Sequence, residues 1–168
     1  VVSRDLANSL SEKKVKTLIP KGLGMIGDIS IPNNLAPGEG IQSHLRRLYW
    51  LQKEVPKIME NLEAEYFLSP LLEAPLFTNV KSIVLAHDLI PLRYPSISFL
   101  TLYHLTYVPL ILQQSKLILC NSISTANDLH VFYKVPRHKL FPIKLGFNNK
   151  KYYPITNIRK KFFLITGR

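Results

Sequence analysis

The stretch Leu117-Ile-Leu-Cys-Asn-Ser-Ile-Ser-Thr-Ala-Asn-Asp-Leu129 joins an apolar run to a helical pattern through a few small polar residues. The apolar run predicts a buried strand over 116–120, and the pattern after it predicts a helix over 123–133. Ser122 or Ser124 can cap the first turn of that helix. The same helix end carries free amides and a partial positive charge, which suits an anion. The segment therefore predicts a strand followed by a helix, and it leaves open whether Ser122 only caps or also binds a ligand.

The rest of the chain alternates in the same way. Helical spacing predicts helices over 4–13, from Ile41 onward with a kink or break at Pro56, and over 99–114 with a kink at Pro109. Short apolar or β-branched runs predict strands over 15–19, 66–68, 82–86, 139–145 and 162–166. This alternation predicts an α/β fold, a Rossmann-like parallel sheet with helices on both faces. Ligands of such sheets bind at the carboxyl ends of strands, here after residues 86, 120 and 145.

Residues 20–40 contain three prolines and five glycines, and they predict a long loop. Within it, Gly22-Leu-Gly-Met-Ile-Gly27 matches the dinucleotide-binding spacing GxGxxG. A dinucleotide site also needs a helix that opens at this loop, and Pro32 with its neighbouring asparagines argues against one. We therefore interpret the glycines as loop residues, and no sound phosphate-loop motif supports a kinase or dehydrogenase.

Composition limits the classes of protein further. The chain of 168 residues is 46% hydrophobic with a formal net charge of +11, and residues 129–168 hold ten Lys or Arg and no acid. That bias favours an anionic partner such as a phosphorylated ligand or the inner face of an anionic membrane.

The single cysteine, Cys120, cannot form a disulfide within the chain, which favours a cytoplasmic location. The sequence contains no spacing of residues typical of zinc ligands. Residues 94–115 carry no Asp, Glu, Lys or Arg, and this stretch predicts a buried helix.

His87 and Asp88 follow the predicted strand over 82–86. A histidine there can donate or accept hydrogen bonds with a substrate hydroxyl, and it titrates near neutral pH. The aspartate can hold loop amides, so a simple turn-capping pair is the alternative.

Ordered blocks of this sequence resemble the family 4 glycosyltransferases, which have the GT-B fold. Ser69–Pro75 and Val84–Pro95 are similar to the family's acceptor-domain strand and its His-Asp turn before a proline. Tyr107–Leu129 resembles the helix and the following Ser-x-Ser-Thr segment. Tyr133–Phe147, with the Tyr153-Pro154 pair that lacks the usual spacer, resembles the crossover between domains, and Phe162–Arg168 resembles the start of the second domain.

This resemblance implies a retaining transferase that moves a sugar from a nucleotide-sugar donor to a glycan or lipid-linked acceptor, without a metal or other cofactor. His87 would reach the hydroxyl groups of the donor sugar. Arg168 would bind the donor diphosphate, and Gly146 would let the backbone pass close to the donor. Glu73, Asp88 and Ser122 would lie on the acceptor side.

The resemblance also implies a division of the chain. Residues 1–154 would form the acceptor-side domain without its first strand, and 155–168 would form the linker and first strand of the donor-binding domain. We expect such a fragment to be inactive alone. The alternatives are a non-catalytic Rossmann-like binding module and a basic nucleic-acid-binding domain, although no nucleic-acid motif is present and nucleic acid is not expected as a partner.

Overall fold

The computed structural model describes residues 15–21, 29–35, 40–144 and 146. Near the start, β1 (Leu18–Pro20) and β2 (Ile29–Ile31) pair in parallel, and Leu18 lies opposite Ile29. A 3₁₀ turn over Asn33–Leu35 follows. The prediction of a continuous loop over 20–40 was wrong at β2. Three residues between glycines and Pro32 are too few to show the alternation by which a strand is recognised.

The central sheet has four parallel strands, β3 (Tyr66–Ser69), β4 (Lys81–Ala86), β5 (Leu117–Cys120) and β6 (Leu140–Pro142), in the order β3-β4-β5-β6. Val84 of β4 lies opposite both Ser69 of β3 and Ile118 of β5. Helices flank this sheet, so the predicted α/β, Rossmann-like class is confirmed. All four strands end at one edge, which we call the carboxyl edge.

The helices are α1 (Ile41–Asn61), α2 (Ile90–Arg93), α3 (Phe99–Gln114) and α4 (Ile123–Tyr133), and a 3₁₀ turn over Arg137–Lys139 precedes β6. Of the kink or break predicted at Pro56, the break was wrong, because α1 runs without interruption for 21 residues, and the kink stays a prediction. An internal proline costs about 3 kcal/mol. Burial of Leu51, Val55 and Met59 on both sides of Pro56 offsets that cost.

The core lies between the sheet and two of its helices. Val84 and Ala86 of β4 and Ile118 and Cys120 of β5 are fully buried on the same face of the sheet. Val108 and Ile111 of α3 and Leu129 of α4 pack against them. Cys120 is thus a small buried residue of the core, and burial raises the pKa of its thiol to about 11.

The predicted strands over 66–68, 82–86 and 116–120 and the predicted helix over 123–133 are confirmed to within a residue at each end. The strand predicted over 139–145 is shorter, since β6 covers Leu140–Pro142. The predictions for 4–13 and 162–166, the glycine loop over 22–27 and the domain boundary at 154 lie outside the described residues.

The expectation that α3 is a buried helix was only half right. One side of α3 enters the core, but Leu102 is 57% exposed and Leu105 is 60% exposed. Among the described residues, no helix is both long and apolar enough to cross a membrane.

Candidate functional site

The carboxyl edge brings the predicted site residues of two strands together. His87 and Asp88 follow β4, and Asn121 and Ser122 follow β5. The amide of Asn121 donates to the carbonyl of Ala86 over 3.2 Å, so the pairing of the two strands continues to the loop. Because parallel strands end at the same edge, residues 33 or more positions apart in sequence become neighbours.

His87 is half-buried, and its Nε2 lies 3.0 Å from the carbonyl oxygen of Pro70, which follows β3. A carbonyl can only accept, so Nε2 carries the hydrogen and the Nδ1 of the neutral ring is an acceptor. No described residue hydrogen-bonds to Nδ1. This atom is therefore free to accept a hydrogen bond from a ligand hydroxyl.

Thr125, in the first turn of α4, holds the loops of both strands. Its hydroxyl lies 3.2 Å from the carbonyl of His87, 2.8 Å from Oδ1 of Asn121 and 3.0 Å from Oγ of Ser122. A hydroxyl donates one hydrogen, so the two nearby acceptors compete for it while Ser122 can donate to Thr125 in return. Sequence reasoning missed Thr125, although its place three residues after a capping serine was a usable signal.

Ser122 is the N-cap of α4. It has an extended backbone, with φ −156° and ψ 161°, and its Oγ accepts from the amide of Thr125 over 3.0 Å. The capping part of the expectation is confirmed. Contact with an acceptor stays a prediction, for which the second lone pair of the serine oxygen is available.

Asp88 is exposed, and its Oδ1 accepts from the amide of Ile90 over 3.1 Å. This bond holds the turn that leads into α2, as expected for an aspartate that binds loop amides. Its second oxygen makes no described hydrogen bond. Asp88 therefore has both a structural contact and a free acceptor at the carboxyl edge.

Glu73 has a different environment from the one expected for an acceptor contact. It is buried, and Arg47 of α1 donates to both of its oxygens, from Nε over 2.8 Å and from Nη2 over 2.6 Å. The hydrogen bond to Glu73 is the main reason that the pKa of Arg47 is raised. The first role of Glu73 is thus to hold Arg47, and a direct contact with the acceptor stays a prediction.

Around this pair lies a group of polar residues that we call the Arg47–Glu73 cluster: His44, Arg47, Gln52, Glu73, Tyr103 and Tyr107. Arg47 Nη2 donates to Nδ1 of His44 over 3.0 Å, which leaves the hydrogen on Nε2. That Nε2 is buried without a hydrogen-bond partner among the described residues. Burial lowers the pKa of His44, so the ring is neutral.

Gln52 connects the same cluster to the segment after β3 and to α3. Its side chain donates to the carbonyl of Ala74 over 3.1 Å and to the hydroxyl of Tyr107 over 2.6 Å, and it accepts from the amide of Leu76 over 2.7 Å. The hydroxyl of Tyr103 donates to the carbonyl of Leu72 over 2.7 Å. Sequence reasoning missed Arg47 and Gln52, and no spacing signal could have found partners that lie more than twenty positions away.

Gly146 is exposed, and a Cβ at this position would meet no atom within 4 Å. Among the described contacts there is thus no steric need for glycine, and its predicted approach to the donor stays a prediction. Arg168 lies outside the described residues. No group of three or more His, Cys, Asp or Glu with metal-binding geometry occurs in the described part of the chain.

Two surface grooves among the described residues lie away from the predicted site. A groove of about 730 Å³ lies at the opposite, amino edge of the sheet, where Lys81, Lys116 and Lys139 line it. A second groove of about 450 Å³ lies between α2 and α4. We favour the carboxyl edge, because parallel α/β sheets bind ligands where strands end and because His87 has a free acceptor there.

A scan against protein-family models finds no matching family, and a search of curated proteins finds no match.

Proposed function

We propose that this chain is the acceptor-side domain of a retaining glycosyltransferase of family 4. In this proposal a sugar moves from a nucleotide-sugar donor to a glycan or lipid-linked acceptor. The observation that carries the proposal is the Nδ1 of His87 at the carboxyl edge, which has no hydrogen-bond partner among the described residues while the carbonyl of Pro70 holds Nε2. Two of the sequence blocks that resemble the family, Val84–Pro95 and Tyr107–Leu129, include the residues that follow β4 and β5 at this edge.

His87 would accept a hydrogen bond from a hydroxyl of the donor sugar. The Pro70 carbonyl fixes the hydrogen on Nε2, so Nδ1 is already a hydrogen-bond acceptor before the substrate binds. The hydroxyl of Thr125 lies within hydrogen-bond distance of both the carbonyl of His87 and Oδ1 of Asn121, and it can donate its one hydrogen to either. Such pre-positioning reduces the ordering that substrate binding must otherwise accomplish.

The other residues would act around this contact. Arg168 and Gly146 belong to the donor side by resemblance. Asp88 and Ser122 hold the loops on the acceptor side, and each keeps a free lone pair. Glu73 would act through Arg47, because the arginine already binds both of its oxygens.

The test measures nucleotide release from a panel of nucleotide sugars, with and without a membrane extract, by the protein expressed from its full reading frame. His87→Gln keeps a donor that can reach the Pro70 carbonyl but removes the Nδ1 acceptor. We expect it to fold normally and to release nucleotide at least about tenfold more slowly, the cost of one lost hydrogen bond to substrate. His138→Ala, at an exposed histidine on the amino edge, is the matched control and should keep full activity.

A folded protein that binds no nucleotide sugar would contradict the proposal and favour a non-catalytic Rossmann-like module. Tight binding to mixed DNA or RNA that weakens steeply with salt would instead favour a basic nucleic-acid-binding domain.

A further inference from the structure

A lysine stands at the start of three consecutive strands of the central sheet. Lys81 is the first residue of β4, Lys116 directly precedes β5, and Lys139 directly precedes β6. These strands are parallel neighbours, so their first residues meet at the amino edge, where adjacent strands lie about 4.8 Å apart. The three lysines therefore form a row about 10 Å long across this edge.

The same three lysines line one groove of about 730 Å³, which we call the amino-edge groove. Sites for small molecules in proteins have volumes of about 300–1,000 Å³. Among the described residues that line the groove, none is Asp or Glu. The groove therefore has the size of a small-ligand site and the charge of an anion site.

The charges of the three lysines are compensated to different extents. Lys81 Nζ lies 3.3 Å from Oε1 of Glu65, and both side chains are exposed. Lys139 Nζ donates to the carbonyl of Gln113 over 2.8 Å, which offsets partial negative charge at the end of α3 and uses one of its three hydrogens. The ammonium of Lys116 is exposed and has no hydrogen bond or ion pair within the described part of the chain. Lys116 is thus fully available to a ligand, and Lys139 keeps two free donors.

Neutral donors lie beside the lysines in the same groove. The Thr78 hydroxyl accepts from the amide of Val80 over 3.3 Å, so its own hydrogen is available. The side-chain amide of Asn79 makes no hydrogen bond to another described residue. A ligand with several oxygen acceptors can therefore be held by ammonium groups and by neutral donors at once.

We propose that the amino-edge groove binds a polyphosphate group, either that of a nucleotide or an inorganic polyphosphate. Lysine binds phosphate as a point charge, whereas planar carboxylates are bound best by the fork of arginine, and the described lining contains lysines and no arginine. A row of three cations suits a chain of phosphates better than a single phosphate, because one small anion cannot lie beside all three.

An aromatic ring next to the lysines gives a nucleotide a further contact. Tyr66, the first residue of β3, lies opposite Lys81 and also lines the groove. Its ring is 43% exposed, and the ammonium of Lys81 lies 5.5 Å from the ring centroid. An exposed ring beside a cation can stack with a nucleobase while the cation binds the adjoining phosphate.

This site is separate from the carboxyl edge. Lys81 and Ala86 are the two ends of β4, and at about 3.3 Å per residue they lie about 17 Å apart. His87 follows the far end of the strand. A polyphosphate in the amino-edge groove therefore does not touch His87, and its binding does not depend on the proposed function.

The experiment measures binding of tripolyphosphate, ATP and inorganic phosphate to the 168-residue chain by isothermal titration calorimetry, without any nucleotide sugar. We expect tripolyphosphate to bind more tightly than inorganic phosphate, and its binding to weaken with salt. Lys116→Ala should weaken tripolyphosphate binding about tenfold, the loss expected for one hydrogen bond to a charged group. Lys116→Arg keeps the charge and should retain most of the binding.

The two sources of the phosphate chain are distinguished by comparing ATP with tripolyphosphate. Tighter binding of ATP, with the difference lost in Tyr66→Leu, would support the proposal and identify a nucleotide as the ligand. Equal binding of the two, lost in Lys116→Ala, would support the proposal with the phosphate chain alone as the recognised group.

Lys53→Ala is the matched control. Lys53 is an exposed lysine of α1 that lines neither of the two described grooves, so its replacement removes the same charge from another surface. We expect it to change tripolyphosphate binding by less than about twofold. His87→Gln, which changes the carboxyl edge, should also leave tripolyphosphate binding unchanged.

Absence of tripolyphosphate and ATP binding at low salt would overturn the proposal, and so would equal losses in Lys53→Ala and Lys116→Ala. Loss of binding in His87→Gln but not in Lys116→Ala would place the anion at the carboxyl edge instead. Single-stranded RNA that binds far more tightly than tripolyphosphate, through Lys116, would replace the small ligand by a nucleic acid. Thermal unfolding verifies that each variant is folded, and Lys116→Gln replaces the alanine variant if it is not.

Tripolyphosphate binding without sugar transfer would support the amino-edge groove and contradict the proposed transferase. Sugar transfer by a protein that binds neither tripolyphosphate nor ATP would do the reverse.

Discussion

Two arginine–carboxylate pairs in this protein have nearly the same geometry but very different surroundings. Arg47 binds Glu73 through two bonds of 2.8 and 2.6 Å, and Arg93 binds Asp128 through two bonds of 2.9 and 2.7 Å. The side chains of the first pair are 16% and 7% exposed, whereas those of the second are 46% and 16% exposed. Burial, not hydrogen-bond length, therefore separates them.

The difference shows what each pair does. The Arg47–Glu73 pair is part of a cluster that joins α1 to the segment after β3, and every charge in it must be compensated inside the protein. The Arg93–Asp128 pair joins α2 to α4 in contact with water, which can replace either partner. The Arg47–Glu73 pair thus contributes to the stability of the fold, whereas the Arg93–Asp128 pair, with the same chemistry, contributes little.

The largest expected effect comes from Arg47→Met. It leaves the Glu73 carboxylate buried without its partner, which we expect to lower the free energy of unfolding by about 3 kcal/mol. Urea unfolding followed by circular dichroism measures the change. The matched variant is Arg93→Met, which removes the same group from the exposed pair and should hardly move the unfolding midpoint.

Equal losses in these two variants would show that burial does not set the strength of the pairs. Glu73→Gln in the Arg47→Met background offers a second check. The neutral amide removes the unpaired charge, so the double variant should recover part of the lost stability.

The second effect concerns pH. Burial lowers the pKa of His44, beside the buried pair, and of His104, which lies against Tyr133, below the ordinary value of 6.5. Between pH 6.5 and the lower folded values, the unfolded chain binds more protons than the folded one. Stability should therefore fall as pH falls below 6.5, by less than about 1.4 kcal/mol per pH unit for each histidine.

Urea midpoints at pH 7.5, 6.5 and 5.5 measure this slope. His44→Gln with His104→Gln removes both titrating groups and should flatten the profile in that range. An unchanged slope in the double variant would assign the pH dependence to other groups, and His138→Gln, at an exposed histidine, is the control for the substitution itself.

The sequence predicted the strands and the position of the candidate site where local pattern and topology determine the structure. Apolar runs indicate β4 and β5, and the rule that ligands bind at strand ends predicts that His87 and Ser122 lie at the same edge of the sheet. The sequence did not predict hydrogen bonds between side chains that lie far apart in the chain. Nothing near Glu73 indicates that Arg47, 26 positions earlier, binds both of its oxygens.

The helix α3 illustrates a second limit. The absence of Asp, Glu, Lys and Arg over residues 94–115 predicted burial, and the side that packs on the sheet agrees. The composition of a helix cannot specify what covers its outer side, because a core, a membrane and a second protein all select the same residues. Only exposure in the folded chain separates the inner side, with Val108 and Ile111, from the outer side, with Leu102 and Leu105.

The smallest effect is expected from a second matched pair, the helix caps. Ser98 accepts from the amide of Thr101 over 3.2 Å at the start of α3, and Ser122 accepts from the amide of Thr125 over 3.0 Å at the start of α4. In each case the two hydroxyls also lie within hydrogen-bond distance. Ser98→Ala and Ser122→Ala should therefore each lower the free energy of unfolding by about 1 kcal/mol.

Measurements of activity then separate the two roles of Ser122, because the free energy of unfolding reports only on the helix cap. If Ser122 is a cap near the acceptor, nucleotide release at saturating donor should change by less than about twofold in either variant, far below the loss expected from His87→Gln. A selective rise in the acceptor KM of Ser122→Ala, with Ser98→Ala unaffected, would show that the hydroxyl binds acceptor as well. The cap hydrogen bond and the acceptor contact would then use different lone pairs of one oxygen, which the geometry of Ser122 permits.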